Sequence, residues 1–353
     1  MSGGVDSSVA AALLVAEGFD VVGVTLRVWP WHEADDATKR FGSCCSPETV
    51  GDARAVARAL GIPYYVLNTE DEFDRAVIDR FVAEYRAGRT PVPCVACNRD
   101  LKFGSLVRRA RAWDASAVAT GHYARITRDD SSGRYLLWKG VDARKDQSDF
   151  LWPLSQEQLA SARFPVGHLT KSEVREHARR LGLATAEKPE SQEICFVPDD
   201  DYRGFLRRRD PAMFRSGPIV DRRGEVLGRH GGIANYTIGQ KRGLGIASGT
   251  GLYVLDLDAE TNTVTVGPVH ELDRTRLVAT QANFIACAPP QAPIRVEAKI
   301  RHSHQPAAAT VRALEDRRAE VVFDAPQRAV TPGQSVVWYR GDCVIGGGFI
   351  AAT

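Results

Sequence analysis

The first eight residues place the strongest constraint on the fold of this 353-residue chain. The string Ser2-Gly3-Gly4-Val5-Asp6-Ser7-Ser8 leads directly into a segment of helical character that ends before Gly18. Two glycines let backbone N–H groups approach an anion closely, the hydroxyls add donors, and a helix N-terminus favours negative charge. Asp6 is suited to holding Mg²⁺ against phosphates, because hard cations prefer carboxylate oxygen. No Gly-Lys-Ser/Thr follows, so this phosphate-binding loop is not a Walker A loop.

A loop of this kind needs a β-strand leading into it, and only Met1 precedes Ser2. Loss of a central strand would leave backbone groups of its neighbours unpaired. We therefore expect that Met1 is internal to the natural reading frame. The alternative is a chain that lacks one core strand.

The first third of the chain alternates between strand and helix patterns. Residues 20–26, 64–67 and 117–120 are apolar runs that predict buried strands. Residues 7–17 and 50–60 predict helices, the second with Ser46 as N-cap and Pro47 in the first turn. Strands that alternate with helices indicate an α/β domain with a mostly parallel sheet.

The pattern changes in the second half of the chain. From about residue 205 helical periodicity fades, and the last 80 residues alternate short apolar runs with turns. These runs predict an antiparallel barrel or sandwich, of which we favour the barrel. We predict a catalytic domain over residues 1–205, a small β-rich domain over 206–272 and a C-terminal β-barrel over 273–353.

Composition and charge narrow the class of protein. Hydrophobic residues make up 44% and charged residues 25%, as in ordinary soluble globular proteins. Residues 1–98 carry nine Lys/Arg and fourteen Asp/Glu, whereas the remainder carries 37 and 30, which indicates a polyanion bound mainly by the later part. No apolar stretch reaches the roughly 20 residues of a membrane span, and no signal peptide is recognisable. We expect a cytoplasmic protein with no membrane contact.

Seven cysteines in a chain of this type argue against a disulfide framework and for thiols that take part in chemistry, bind a metal or are merely buried. Cys94-Val95-Ala96-Cys97 precedes a basic helix, and Cys195 lies about 100 residues later. A thiol near a helix N-terminus beside Arg99 and Lys102 predicts a lowered pKa, which makes Cys97 a candidate nucleophile. Half a zinc site, a redox pair and an iron–sulfur cluster on Cys94, Cys97 and Cys195 remain alternatives.

Several strings, taken together in their order and spacing, resemble the tRNA-specific 2-thiouridylases (the MnmA/TrmU family) over almost the whole chain. SGGVDSS by itself resembles the loop of the PP-loop ATPases, which cleave ATP to AMP and pyrophosphate. The other strings are Cys44-Cys45-Ser46, Leu60 to Tyr65 (LGIPYY), Pro93 to Phe103 (PCVACNRDLKF), Ala119 to Arg125 (ATGHYAR), Lys145 to Ser148 (KDQS), Ser191 to Val197 (SQEICFV), Gly239 to Leu244 (GQKRGL), Pro326 to Gln334 (PQRAVTPGQ) and Gly346 to Gly348.

This resemblance implies ATP-dependent replacement of the C2 oxygen by sulfur at the wobble uridine of tRNA. It implies that ATP contacts Leu26, Gly121 and the loop residues Ser2, Gly3, Gly4, Val5, Asp6, Ser7 and Ser8. Cys97 is then the catalytic nucleophile, Cys195 carries the sulfur as a persulfide, and the two form a transient disulfide. The positions implied to contact tRNA are His122, Lys145, Asp146, Gln147, Arg301, His302 and Gln334.

The implied chemistry explains why these parts occur together. The C2 oxygen is a poor leaving group, and transfer of AMP from ATP·Mg²⁺ makes it a good one. Expected partners are the anticodon stem-loop of tRNA and a sulfur-carrier protein or cysteine desulfurase relay, with a monomeric enzyme. Two positions depart from the family pattern: Asp149 stands where an aromatic residue is common, and His302 where tyrosine is frequent.

Two basic stretches are candidates for phosphate contact, residues 99–111 and residues 203–229, the latter with eight arginines and three acids. Two rival functions stay open at this point. One is a different PP-loop enzyme, such as an amidotransferase-type or a tRNA lysidine synthetase, which would not need the cysteine pair. The other is an RNA-binding protein with a degenerate ATP site.

Overall fold

The computed structural model describes residues 1–29, 46–189, 194–197, 200–246 and 251–352. Cys44, Cys45 and residues 191–193 lie outside this part of the chain. The chain divides into two compact units. The first comprises residues 1–77, 94–201 and 342–344, and the second residues 78–93, 202–341 and 345–353. The bounds of the three domains predicted from the sequence stay predictions.

Helices dominate the first 210 residues, and strands dominate the remainder. Within the described residues, no helix combines the length and apolar character needed to cross a membrane. Two π-helical segments, Asp74–Ile78 and Cys97–Ser105, occur among the helices. In chain order the helices and strands are α1 (Val5–Ala16), β1 (Gly23–Arg27), α2 (Pro47–Ala59), β2 (Tyr64–Asn68), α3 (Glu70–Phe73), α4 (Asp79–Arg86), α5 (Pro93–Ala96), α6 (Leu106–Arg111), β3 (Val118–Ala119), β4 (Ala124–Arg128), β5 (Tyr135–Lys139), α7 (Gln156–Ala160), β6 (Ala162–Arg163), α8 (Lys171–Arg180), α9 (Tyr202–Arg209), β7 (Gly217–Val220), β8 (Val226–His230), β9 (Tyr253–Asp258), β10 (Thr263–Gly267), β11 (Asp273–Phe284), β12 (Ile294–Lys299), β13 (Ala307–Leu314), β14 (Arg318–Arg328), β15 (Ser335–Arg340) and β16 (Cys343–Ile350).

The first unit contains the predicted parallel pairings. β1 pairs in parallel with β2, and β3 pairs in parallel with β6. β1 with β2 and β3 with β6 thus form two two-stranded parallel sheets, and β4 pairs with β5 in antiparallel fashion. This confirms the α/β class but not one continuous sheet. Met1 lies beside β1, where its amino group donates to the Val24 carbonyl oxygen and its own carbonyl accepts the Thr25 hydroxyl at 2.5 Å. These bonds hold the start of the glycine loop against the sheet.

A common apolar core fixes the helix that follows the loop. Val5 and Val9 of α1 are buried with Val174 and Ala178 of α8. Small residues fill much of α1, including Ala10, and they permit close packing between the two helices. This packing brings the N-terminal residues of α1 and α8 to the same region of the first unit.

The second unit consists mainly of strands, as predicted for the later part of the chain, and also contains α4 and α9. Its smaller sheet has the order β8-β7-β10-β9 and encloses its own apolar cluster, which includes Ile219, Val254 and Val264. The last six strands follow the order β11-β14-β13-β12-β15-β16, and β11 also pairs with β16. This additional pairing closes the sheet on itself, so the C-terminal region is a six-stranded barrel and the sandwich alternative is wrong.

Candidate active site

The glycine loop at the start of α1 has the geometry of an anion-binding site. Gly3 has φ +66°, and a Cβ at this position would collide with the Thr49 carbonyl oxygen. Gly4 is the N-cap in an extended conformation and supplies no side-chain acceptor. The first N–H groups of a 12-residue helix therefore keep their donor capacity for a ligand.

The serines of the loop hold its backbone in place. Ser7 Oγ and Ser8 Oγ donate to the Gly4 carbonyl oxygen at 3.1 and 2.8 Å, and the Ser2 N–H donates to Ser7 Oγ at 3.1 Å. The side chains of Val5 and Ser8 are buried. These two residues can offer a ligand only their backbone groups.

Gly121 packs directly on this loop. A Cβ at Gly121 would lie 2.7 Å from the carbonyl carbon of Asp6 and 2.7 Å from the nitrogen of Ser7. Real Cβ atoms do not approach backbone this closely, so only glycine fits without moving the loop. Leu26, the other predicted nucleotide contact outside the loop, is half-buried on β1 opposite Leu67.

The carboxylate of Asp6 is held by two side chains that the sequence analysis did not single out. Asp6 Oδ1 accepts the Tyr123 hydroxyl at 2.7 Å and Lys171 Nζ at 2.7 Å, and Oδ2 accepts Lys171 Nζ at 2.9 Å. The Lys171 Nζ also lies 5.8 Å from the centre of the Tyr123 ring. The fixed carboxylate of the loop and the ammonium group of Lys171 thus lie side by side at the N-terminus of α1.

Cys97 occupies a different environment from the one the sequence predicts. Burial raises the pKa of its thiol above the usual 9.0, and nearby Lys102 only partly opposes this effect. The prediction of a lowered pKa is therefore wrong, for two reasons. Cys97 begins a π-helical segment that continues directly from α5, so it does not lie at a free helix N-terminus. Arg99 is paired with Asp100, with Nε–Oδ1 at 2.7 Å and Nη2–Oδ2 at 2.8 Å.

The three cysteines named as candidates differ in exposure. Cys94 is exposed, whereas Cys97 and Cys195 are partly buried, and none of the three forms a disulfide. Cys195 is followed by Phe196, whose ring contacts Phe73 at 5.5 Å between centroids. In the described part of the chain, no three His, Cys, Asp or Glu side chains are grouped closely enough to hold a metal ion. The cysteine arrangement of this structure therefore does not fit a three-thiolate cluster.

The predicted tRNA contacts of the first unit are mostly buried. His122 is 8% exposed and packs against the rings of Phe103 and Phe164, with Thr120 Oγ1 2.7 Å from its Nδ1. Asp146 is also buried, and burial raises the pKa of its carboxyl, although N–H bonds from Gly140 and Ser148 oppose the rise. These two side chains organise the interior beside the site.

Lys145 and Gln147, the other predicted tRNA contacts of the first unit, lie in the same loop as Asp146. Gln147 Oε1 accepts the Tyr123 N–H at 3.1 Å, and the Gln147 N–H donates to the Tyr123 carbonyl at 3.0 Å. Lys145 is half-buried beside them. Asp149, which departs from the family pattern, is 5% exposed and adds to the raised pKa of Asp146.

The predicted tRNA contacts of the second unit lie on the barrel and its connections. His302 is exposed, and Arg301 is half-buried with Nη1 3.2 Å from the Arg328 carbonyl oxygen. Gln334 Nε2 donates to the Thr90 carbonyl oxygen at 3.0 Å. Arg301 and His302 offer polar groups at the surface, whereas the Gln334 amide is engaged within the unit.

The basic stretches are less available to phosphate than their composition indicates. In residues 99–111, Arg109 pairs with Glu72 and Arg111 with Glu157. In residues 203–229, Arg222 pairs with Glu271, and Arg207 lies over the ring of Phe214. Individual arginines in these stretches therefore cannot be counted as phosphate contacts from sequence alone.

The buried His122 gives a prediction for stability against pH. Burial, reinforced by Lys102, lowers the pKa of His122 well below its usual 6.5. The unfolded chain therefore binds a proton at His122 near pH 6.5 while the folded chain does not, so stability is complete above that pH and is lost as pH falls. We expect Tm to decrease between pH 7 and pH 5, and to decrease less in His122→Gln. Equal pH dependence in both proteins, measured by thermal unfolding, would contradict this assignment.

Comparison with known families covers the chain in three segments. Residues 1–199 match the model described as tRNA methyl transferase HUP domain. Residues 203–268 match the tRNA methyl transferase PRC-barrel domain, and residues 274–350 match the aminomethyltransferase beta-barrel domain.

Individual relatives align over nearly all of the chain. The tRNA-specific 2-thiouridylase MnmA of Heliobacterium modesticaldum is 53% identical over 352 residues, which is 99% of this chain and 91% of the relative. The enzyme of the same description from Acetivibrio thermocellus is 52% identical over 99% of this chain and 97% of its own length. That from Clostridioides difficile is 47% identical over 99% and 96%.

Proposed function

Because the chain belongs to the tRNA-specific 2-thiouridylase MnmA family, we propose that it replaces the C2 oxygen of the wobble uridine in tRNA by sulfur, at the expense of ATP. The observation that carries this proposal is 53% identity to a 2-thiouridylase over 99% of the chain. The resemblance drawn from the motifs is thereby confirmed. The lysidine-synthetase-like and non-catalytic alternatives lose their support, because this similarity spans both cysteine motifs and the intact loop.

In this proposal, the glycine loop binds the triphosphate of ATP. The backbone N–H groups of Gly3 to Ser8 face the phosphates, Leu26 lines the adenine pocket, and Gly121 supports the loop from behind. The Asp6 carboxylate suits Mg²⁺, since it is a hard oxygen ligand beside the helix start that is proposed to bind the phosphates. Bound Mg²⁺ would neutralise phosphate charge, and the loop would hold ATP so that the uridine oxygen takes the AMP group and pyrophosphate leaves.

The sulfur-transfer half uses Cys97 and Cys195. Cys195 receives sulfur as a persulfide from a sulfur-carrier protein or cysteine desulfurase relay. Its terminal sulfur attacks C2 and AMP leaves, after which Cys97 thiolate attacks Cys195 Sγ and breaks the S–S bond. The products are 2-thiouridine and a Cys97–Cys195 disulfide, which an external dithiol reduces.

In the alternative order, Cys97 releases hydrosulfide from Cys195 first, and the hydrosulfide attacks C2. Both orders consume one persulfide and end in the same disulfide. Neither order uses an iron–sulfur cluster, because the described thiols are not grouped as a ligand set.

The tRNA must present its wobble uridine outside the anticodon stack, since loop bases are accessible only when they are splayed out. We propose that the tRNA anticodon stem-loop is bound through Lys145, Arg301 and His302, with His122, Asp146, Gln147 and Gln334 shaping the loops that carry them.

The direct test is mass spectrometry of nucleosides from tRNA incubated with the protein, ATP·Mg²⁺, a persulfide donor and a dithiol. We expect 2-thiouridine at the wobble position together with AMP and pyrophosphate in equal amounts. AMP and pyrophosphate without thiolated nucleoside would point to another PP-loop reaction. The absence of all products with tRNA of established thiolation competence would contradict the proposal.

Salt dependence tests the proposed tRNA contacts. Phosphate binding releases counterions, so tRNA affinity should fall steeply as salt is raised. Lys145→Ala and Arg301→Ala should each reduce the slope of log Kd against log salt by about one. Arg295→Ala is the control, because both Nη atoms of Arg295 already bind Asp324, at 2.8 and 2.5 Å. An affinity that does not change with salt would rule out phosphate binding by these residues.

A further inference from the structure

We propose that Lys171 is a phosphate-binding residue of the nucleotide site, which holds Asp6 in the absence of ATP and transfers its charge to the phosphates when Asp6 binds Mg²⁺. This inference deepens the proposed function and rests on it. It concerns the step in which pyrophosphate leaves, and nothing in the sequence motifs or family descriptions assigns Lys171 a role.

The ammonium group of Lys171 lies at the predicted phosphate site. Lys171 Nζ lies 2.7 and 2.9 Å from the two carboxylate oxygens of Asp6, a residue of the loop that carries the predicted phosphate site. The Lys171 side chain is only 11% exposed and that of Asp6 31% exposed. A lysine is rarely buried to this degree without a specific charged partner, and here the partner is the proposed cation ligand.

A lysine is unfavourable at the position that Lys171 occupies in its helix. Lys171 is the first residue of α8, where the helix dipole disfavours positive charge. The helix start is already provided by Thr170 and Glu173, which form a complete capping box. Local helix stability therefore does not explain Lys171, whereas an anion bound beside two helix N-termini does.

The groups around Lys171 are fixed, whereas its ammonium group can move. The Lys171 N–H donates to Asp142 Oδ2 at 3.0 Å, which anchors the backbone. Tyr123 donates to Asp6 at 2.7 Å and is itself held by two bonds to Gln147. The ammonium group sits on a flexible stem of four carbons. It can thus leave Asp6 for a phosphate oxygen while Tyr123 keeps the carboxylate in place.

These features define the role of Lys171 in the reaction. Before ATP binds, Lys171 compensates the charge of Asp6. In the loaded site it donates to phosphate oxygens and stabilises the negative charge that develops on the departing pyrophosphate. No proton needs to be transferred, because the ammonium remains charged throughout.

The test compares Lys171→Met and Lys171→Arg with a matched control, Lys188→Met. Lys188 also forms a partly buried ion pair, with Asp52, but it belongs to none of the proposed contacts. In Lys171→Met we expect ATP affinity measured at saturating Mg²⁺ to fall about tenfold or more and AMP formation with tRNA to fall on the order of 100-fold. The Mg²⁺ concentration for half-maximal rate should decrease, because Lys171 no longer competes for Asp6. Lys171→Arg should recover part of the ATP affinity.

The combination of a lower rate and a lower Mg²⁺ requirement separates this role from a structural one. A purely structural lysine would lower Tm in Lys171→Met and leave ATP affinity at saturating Mg²⁺ unchanged in the folded fraction. Unchanged ATP affinity, or an equal loss in Lys188→Met, would overturn the proposal. ATP binding needs no tRNA or sulfur donor, so it can be measured even in a protein that makes no 2-thiouridine. Such a protein would contradict the proposed function, and the ATP affinity of Lys171→Met would still test the inference on Lys171.

Discussion

Replacing Cys97 or Cys195 with serine should lower the rate of 2-thiouridine formation by on the order of 10³-fold or more. The tRNA affinity should stay within about twofold of wild type. Each substitution removes a sulfur atom that forms a bond in the proposed reaction, and serine cannot carry a persulfide or close the disulfide. The two thiols are small and partly buried, and no phosphate contact is assigned to either. Single-turnover thiolation and tRNA binding, measured on the same preparations, test both halves of this prediction.

Cys94→Ser is the matched control for these variants. Cys94 lies one helical turn before Cys97, carries the same chemistry and is exposed. A persulfide relay through Cys97 and Cys195 leaves single-turnover thiolation by Cys94→Ser close to wild type. If Cys94→Ser loses activity to the same extent as Cys97→Ser, three thiols act together and the two-cysteine assignment is wrong. Loss of tRNA binding in Cys97→Ser would instead show that Cys97 supports the binding surface.

The sequence predicts the fold class and the loop because these depend on local patterns. The strand predicted over 64–67 and the helix predicted over 50–60 are confirmed as β2 and α2, with ends that differ by at most three residues. Ser46 caps α2 as predicted, with its Oγ accepting the Thr49 N–H at 3.2 Å. Apolar periodicity and capping residues act within one turn or strand, so they are visible in the chain itself.

The sequence does not reveal contacts between distant residues. Lys171 is 165 positions from Asp6, and its string Thr170-Lys171-Ser172-Glu173 indicates only the start of a helix. Two signals were available: a lysine at the first position of a helix opposes the dipole, and Tyr123 lies in the same string as Gly121. Neither identifies the partner without the packing of α1 on α8.

The error in the Cys97 pKa has a similar origin. Neighbouring Arg99 and Lys102 predict a lowered pKa, because the sequence shows charge but not pairing or burial. In the structure Asp100 neutralises Arg99, and loss of solvent contact dominates. Since burial penalises the thiolate, the Cys97 thiol is harder to deprotonate than its neighbours in the sequence predict.

Gly121→Ala should reduce ATP affinity and the rate of AMP formation by about 100-fold, since a displacement of about 1 Å at a reacting group has this effect. The added methyl group would lie 2.7 Å from backbone atoms of Asp6 and Ser7 and 2.9 Å from Asp6 Cβ. Backbone of a helix start packed in the core cannot yield as a flexible side chain would, so the loop and its carboxylate must shift together. Nucleotide binding by calorimetry and pyrophosphate release with tRNA measure the effect.

Gly51→Ala provides the control for this variant, because it adds the same methyl group in the same unit. Gly51 lies within α2, and a Cβ there meets no heavy atom within 4 Å. Alanine in place of glycine inside a helix should raise stability by up to about 1 kcal/mol and leave ATP affinity unchanged. If Gly121→Ala binds ATP as tightly as Gly51→Ala does, the loop can move without consequence, and close contact between Gly121 and Asp6 is not what shapes the phosphate site.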